Sequence, residues 1–479
     1  MTNQTSKISK TPQFDQAIGA ILKDLKPHIR TCRQCGNSFQ VYQEDIDFYQ
    51  MFKVPPPTIC PFCRKKRRFA HLMRVPKFFK RLCQSPRHNE EVITVFPPDS
   101  PHKVYDFSYW HSDKWEAADC GRNYDFTRSF FHQFKELFFS VPHVTLERSS
   151  STVNSDYSVG GTGAKNVYYS GLGYHSENIM YCFDTRHTRD SVDCNLMNNS
   201  ELCYGSVGSD YCSRCIFVIE CNQCMDSAFL YNCKNCSNCF LSDNLRNGSY
   251  IFNNRQLNKE EYKKKFEAVN LGDRNVLNEY SEKFKLEILS RALRRNVRNV
   301  NVSHSVGDGL RNCNKCYFVF RAQDAENARY SDNLVKSRDL MDVANVGEAE
   351  RMYEVVLVIP GFYNKFSMYL RNCSLMEYCS ECYDCHYCFG CVGLKNKEFY
   401  IFNQSFKESD YWVMVDKIKT KMMEKGEYGE FFSPQLGLMP YQSSAAQKYF
   451  PLEPDEAKNL EIPWYPNQKR QIYRTIWKF

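Results

Sequence analysis

No segment of the chain approaches the 18 or more apolar residues of a membrane span. The opening MTNQTSKISK is polar and lacks the apolar core of a secretory leader. Both absences point to a cytoplasmic, reducing setting without membrane partners, where disulfides do not persist. Common enzyme signatures are missing too: no G-x-S-x-G elbow, no H-E-x-x-H helix, no Walker A loop, no dinucleotide fingerprint. The GGTG starting at Gly160 falls in a turn-rich stretch and reads as a loop. His386 lies among cysteines, but a Cys–His nucleophile needs an exposed thiol. No catalysis and no small-molecule substrate are expected. Charge of one sign is scarce, since 63 Lys and Arg against 55 Asp and Glu leave only +8, so clustering matters more than the sum.

What the chain has in excess is cysteine, 24 residues, beside 31 Tyr and 35 Phe. In a reducing compartment those cysteines serve metal or packing. Cys32 and Cys35 form one C-x2-C, followed by Gly36, and Cys60 and Cys63 form another. Two such knuckles suit one tetrahedral Zn²⁺ held by four thiolates, a zinc ribbon. Gly36 eases the first knuckle, and Pro55, Pro56 and Pro57 stiffen the approach to the second. Directly after Cys63, residues 64–81 hold nine cations and no acid: Arg64, Lys65, Lys66, Arg67, Arg68, Arg74, Lys77, Lys80 and Arg81. Two uses stay open for them. They form a solvated face that offsets the thiolate charge, or they track a nucleic-acid backbone, with Phe69, Phe78 and Phe79 interleaved for stacking.

From Cys83 to about Ser150 a small α+β region is expected, with EVITVF as a strand and a helix around Phe130–Phe139 ended by Pro142. Cys83, His88 and Cys120 have no regular ligand spacing and read as structural.

Ten cysteines between residues 182 and 239 are separated by gaps that are all multiples of three. Stepping by 12 exposes the repeat behind them. One column reads Ala164, Ser176, Thr188, Ser200, Cys212, Cys224, Cys236 and Gly248; the column three later reads Val167, Ile179, Ser191, Cys203, Cys215, Ser227, Cys239 and Ile251. The rule returns with a new phase in a second half, where Cys313, Ala325, Ser337, Ala349, Gly361, Cys373 and Cys385 form a small column and Leu310, Ala322, Leu334, Val346, Val358, Leu370 and Cys382 an apolar one. Asn364 interrupts a third, and the spacing does not account for it. Equivalent positions that are all small or apolar at a short fixed period predict a β-solenoid, each turn stacking its inner residues on the last. Cysteine, compact and readily buried, suits so thin an interior, which assigns 18 of the 24 cysteines to packing.

The fold class expected is therefore mainly β: two solenoid segments with 12-residue rungs, an N-terminal zinc ribbon and capping helices. The boundaries are residues 1–28 as an extension, 29–82 ribbon and basic segment, 83–150 small α+β region, 151–257 first solenoid, 258–300 helical connector, 301–405 second solenoid, and 406–479 capping helix and tail. The halves look duplicated, since YIFN at Tyr250–Asn253 returns at Tyr400–Asn403 and each is followed by a charged amphipathic helix that would cap the open end. The connector helix is expected to run through LSRALRRNVR, carrying Arg291, Arg294, Arg295 and Arg298.

The rung spacing resembles the 12-residue coil of beetle antifreeze proteins, although the regular Thr-x-Thr array of their ice face is absent. Through TCRQCGNSF, VPPPTICPFCR, CFGCVGLKNK and GEYGEFF the chain resembles, over nearly its full length, a group of cysteine-rich zinc-ribbon proteins from reduced-genome bacteria and giant viruses. Some of that group carry a CaiB/BaiF coenzyme A transferase label, which no residue here supports. The resemblance implies the ribbon and brings no activity. The function expected is a non-enzymatic scaffold that presents ladders such as Tyr204, Ile216, Ala228 and Phe240 to a protein partner, unless those ladders are buried between the two halves. RNA binding through the basic ribbon is the alternative.

Overall fold

A computed structural model of the chain describes residues 9–73, 77–86, 88–310, 317–320, 328–329, 337–346, 349–354 and 356–465. Arg74, Cys313, Cys316, Ala322, Ala325 and Leu334 lie outside the described residues. The protein is rich in sheet. Twelve strands between Tyr157 and Gln256 form one sheet, and six between Ala344 and Ser405 form another.

After one shift between Tyr157 and Ser158, the parallel strands of the first sheet keep a constant register. Val167 pairs with Ile179, Ile179 with Ser191, Cys203 with Cys215, Cys215 with Ser227 and Cys224 with Cys236, always parallel and 12 residues apart. The second sheet keeps the same step, with Val346 on Val358, Val358 on Leu370 and Gly361 on Cys373. A 12-residue return is short, and the backbone makes it by bending often. Every third residue from Asn166 to Asn253, and again from Tyr363 to Phe402, has positive φ. Left-handed backbone costs an L-residue roughly 1–2 kcal/mol and is easiest for Gly, Asn and Asp. Many of these sites are Asn or Asp, yet Tyr169, Leu172, Phe217 and Phe229 adopt it as well. Their amides recover part of the cost, each donating to the carbonyl 13 residues earlier: Tyr181 to Tyr168 at 3.0 Å, His187 to Tyr174 at 2.9 Å, Asp193 to Met180 at 3.1 Å.

The residue after each bend points inward, and its side chain serves the backbone. Ser170 accepts the amide of Cys182 at 2.9 Å and donates to the carbonyl of Tyr168 at 2.9 Å. Ser191, Ser200 and Ser209 treat Cys203, Cys212 and Cys221 alike, at 3.1, 3.1 and 3.0 Å. Cys182 donates its thiol to the carbonyls of Met180 and Ser191. Smallness is thus half of what the columns require; the other half is a short polar group that meets backbone groups left over at the bends. Asn364 falls into line on that ground. Buried, it gives its Nδ2 to the carbonyl of Cys373 at 3.0 Å and accepts the amide of Met376 at 3.1 Å.

Both sheets stop in the same way. Strand Ser249–Phe252 pairs antiparallel with Arg255–Gln256, and Glu398–Ile401 pairs antiparallel with Gln404–Ser405. Helices Lys259–Glu267 and Glu408–Glu424 follow and lie against those last strands. The connector continues as helix Arg274–Lys283 and a π-turn, Phe284–Leu289, and ends there. The helix expected through LSRALRRNVR is cut short because the chain turns to meet Asp308, whose Oδ1 accepts the Arg298 amide at 2.7 Å while Arg298 also pairs with Glu220 at 2.9 Å.

The ladder Tyr204, Ile216, Ala228 and Phe240 is not an open surface, nor is it buried between the halves. The connector covers it: Phe284 packs on Phe229 with ring centroids 5.8 Å apart, and Tyr280 on Phe240 at 5.0 Å. The interior of the first half is a core of its own. The second half shares one core with helix Pro12–Leu22, helix Phe130–Ser140 and the segment around Phe432, with the buried stack Phe366–Tyr378 at 4.8 Å beneath them.

Candidate metal centre

Strands His28–Thr31 and Ser38–Val41 form a hairpin whose turn carries Cys32 and Cys35. The amide of Gly36 closes the knuckle onto the Cys32 carbonyl at 2.9 Å, with Gly36 at φ +75°, where glycine is at no disadvantage. Cys60 is the N-cap of helix Pro61–Ala70, and Cys63 lies in its first turn. The two knuckles are tied by the Arg33 amide on the Thr58 carbonyl at 3.0 Å. All four Sγ atoms lie within 4.8 Å of one another, Cys35 and Cys60 at 3.8 Å.

Backbone amides enter the cluster: Cys60 N–H donates to Cys32 Sγ at 3.2 Å and Cys63 N–H to Cys60 Sγ at 3.5 Å. Burial raises the thiol of Cys32, but the amides of Cys60, Cys35 and Gln34 outweigh it and bring it to about 6. Burial and the neighbouring sulfurs push Cys63 upward. Four sulfurs in one small volume, fed by amides and set on a helix N-terminus, form a donor set for one cation with no fifth position. Among the described residues it is the one group of Cys, His, Asp and Glu close enough to hold a metal ion.

The helix that carries Cys60 and Cys63 also carries the basic run, and the structure corrects the picture of a continuous cationic face. Arg64 and Arg68 are each 1% exposed. Arg64 pairs with buried Asp342; Arg68 lies 3.3 Å from Asp342 and 3.6 Å from Glu354; Arg67 meets Glu354 at 2.9 Å and Glu430 at 3.0 Å. Three of the nine cations are therefore taken up inside, on acids drawn from 274 or more residues away. Burial raises Glu354 against the pull of Arg67, while Arg67 holds Glu430 below its ordinary range in spite of burial. Lys65 and Lys66 are half-buried on the same helix, and Lys65 lies over the Phe69 ring. Lys77, Lys80 and Arg81 belong to a different place, the hairpin of Phe79–Leu82 with Glu91–Thr94 and its approach. There Lys80 pairs with Glu91 at 3.0 Å and Arg81 donates to the carbonyls of Pro97 and His102. Phe69 is buried against Tyr449 and Phe450, Phe78 packs on Tyr157 and Tyr169, and Phe79 on Tyr465.

Sequence reasoning missed a second polar cluster. His143 joins its Nδ1 to Glu381 and its Nε2 to the Phe138 carbonyl at 3.0 Å, while Glu147 accepts from Arg371 at 2.7 Å and from Tyr383. Both carboxylates border an otherwise apolar cavity of about 70 Å³ between the first rungs and the second half. Burial raises Glu147, and Arg371 opposes it. These pairs join distant parts of the chain, and no local spacing announces such contacts. No described helix is long and apolar enough to cross a membrane. No protein-family model matches the chain, and no curated protein matches it significantly.

Proposed function

We propose that the chain is a non-enzymatic scaffold: two β-solenoids with 12-residue turns, braced by a zinc ribbon, that offer a rigid sheet face to a protein partner in the cytoplasm. The observation that carries this reading is the constant parallel register of 12 through successive strands, with inner side chains bonded to the turn behind. Stacked turns of that kind hold outward side chains in straight ladders, which suits binding and gives nothing to move in a reaction. Zinc suits the four cysteines because Zn–S bonds of about 2.3 Å place tetrahedral sulfurs about 3.8 Å apart, the separation found for Cys35 and Cys60. A closed tetrathiolate contributes folding energy and leaves no site for substrate. RNA binding remains the weaker reading, with Lys65, Lys66, Lys77, Lys80 and Arg81 divided between two elements. Affinity capture of the tagged full chain from its native cells tests the proposal. A protein partner that survives nuclease and high salt supports the scaffold; recovery of nuclease-sensitive partners alone, or of none, overturns it.

A further inference from the structure

The apolar ladder under the connector continues beyond the rungs that the connector covers. Tyr168, Met180 and Val192 precede Tyr204, Ile216, Ala228 and Phe240 in one unbroken parallel ladder. From Tyr204 onward the connector lies over it. Tyr280 meets both Phe229 and Phe240, Arg274 lies near Asp193, and Arg291 reaches Asn253 on the last rung, so the helix starts at the earlier rungs and runs toward the later ones. A helical turn rises about 5.4 Å and a strand spacing is about 4.8 Å, so residues four apart meet successive rungs. On the earlier rungs Tyr168 is 40% exposed, Met180 40% and Tyr181 41%.

Beside these open rungs runs a groove of about 440 Å³, walled by Tyr157, Tyr168 and Met180 on one side and by Asn154, Asn166 and Asn178 on the other. The asparagines are chained, each Nδ2 donating to the next side chain at 2.8 Å and Asn178 to Asp190 at 2.8 Å. That chain uses one of the two N–H groups of each amide. Asp156, at the border of the groove, is paired with Arg148 at 3.6 Å, and Asp190 ends the asparagine chain.

We propose that the open rungs are a docking site for an amphipathic helix of a protein partner, lying end to end with the connector along the same ladder. Its apolar residues sit on Tyr168, Met180 and Tyr181, one large side chain enters the groove, and its polar flank offers amide or hydroxyl oxygens to the free N–H groups of the asparagine chain. The assignment rests on the scaffold reading and names its surface. What argues for a helix is continuity, since the same column already takes one from its own chain.

A labelled peptide of residues 273–292, the connector's own helix, serves as the probe, titrated with the full-length protein by fluorescence anisotropy. Saturable binding is expected at one site per chain. Met180→Glu and Tyr168→Glu, on separate rungs, should each weaken it by about tenfold or more with the melting temperature unchanged. Leu286→Glu, on the outward side of the connector, should leave it intact. Absence of saturable binding overturns the proposal. So does binding indifferent to both rung substitutions, which would mean that the peptide displaces the connector. A cellular partner that binds Met180→Glu as well as the parent rejects this surface and leaves the scaffold standing.

Discussion

Inside the rungs Ser170 and Cys182, one turn apart in a single column, bond to the same kinds of backbone group. Burial pushes the Cys203 thiol up to about 12, so it stays protonated at neutral pH and acts as a donor. Cys224 donates to the carbonyls of Asn222 and Cys233, both at 3.6 Å. Cys224→Ser should therefore be the mildest change, within about 1 kcal/mol, because a hydroxyl makes the same net contribution. Cys224→Ala should cost somewhat more, and Cys224→Leu, which overfills the interior, roughly 1–3 kcal/mol or beyond. Urea denaturation of reduced protein that ranks leucine level with serine would contradict this account. At the bends the opposite kind of substitution is favourable. Leu202, half exposed at φ +52°, interrupts the column between Asp190 and Arg214. Leu202→Asn should raise stability by roughly 0.5–1 kcal/mol by easing left-handed backbone, and Leu202→Val should lower it.

The ribbon helix couples the four-cysteine centre to the second half of the repeat. Its three arginines meet Asp342, Glu354 and Glu430, so the metal end and the repeat are joined by charge rather than by a greasy face. Removing one partner of a buried pair leaves an uncompensated charge and costs about 3–5 kcal/mol. Asp342→Ala should lose that much in a denaturant titration. Structural zinc contributes on the order of 10–16 kcal/mol, against a whole domain's stability of about 5–15 kcal/mol. One zinc per chain is expected by metal analysis, and chelation should unfold residues 28–63 while the sheet signal persists. Three or more zincs would show that repeat cysteines bind metal too. Helix Glu408–Glu424 is seated differently. Burial raises Glu377, but Lys365 and Lys419 outweigh it and bring it down to about 2. A lowered carboxylate stabilises the fold above its ordinary pKa and loses that contribution as pH falls from about 4.5 to about 2, on the order of 3 kcal/mol in all. Glu377→Gln should flatten the acid side of the stability profile across that window.

For the whole molecule, nucleic acid is the alternative partner the charge pattern suggested, and the packing takes Arg64, Arg67 and Arg68 out of the basic face. With Arg64, Arg67 and Arg68 paired inside, Lys65→Gln with Lys66→Gln should leave retention on single-stranded RNA unchanged at physiological salt. A fall in retention with a shallower salt slope would restore the basic segment as an interface. The same residues show what a sequence can disclose. Cys32, Cys35, Cys60 and Cys63 announce their cluster because each knuckle is local, and the 12-residue register is legible because every column is filled by small, apolar or short polar inner groups. The acids that claim the arginines come from residues 342–430, so no window around residue 64 contains them. The bends were hidden as well, because Phe217 and Phe229 are held left-handed by the short return of the backbone, as Tyr169 and Leu202 are outside the connector's cover, rather than by their own preference.

A constant register also sets rules for change in length. Arg189 pairs with Glu201 and Val192 with Tyr204, so excising Arg189–Ser200 would set each following residue on the place vacated by its equivalent one rung earlier. Inner columns would stay inner and the ladder would shorten by one step. Excising 11 residues instead would rotate every later side chain by one position, turning Cys203 and Cys215 toward solvent and their outer neighbours into the interior. Growth and loss in this region are quantised in units of twelve, and a deletion series read by thermal melts should show folded protein at a loss of 12 and collapse at 11 and 13.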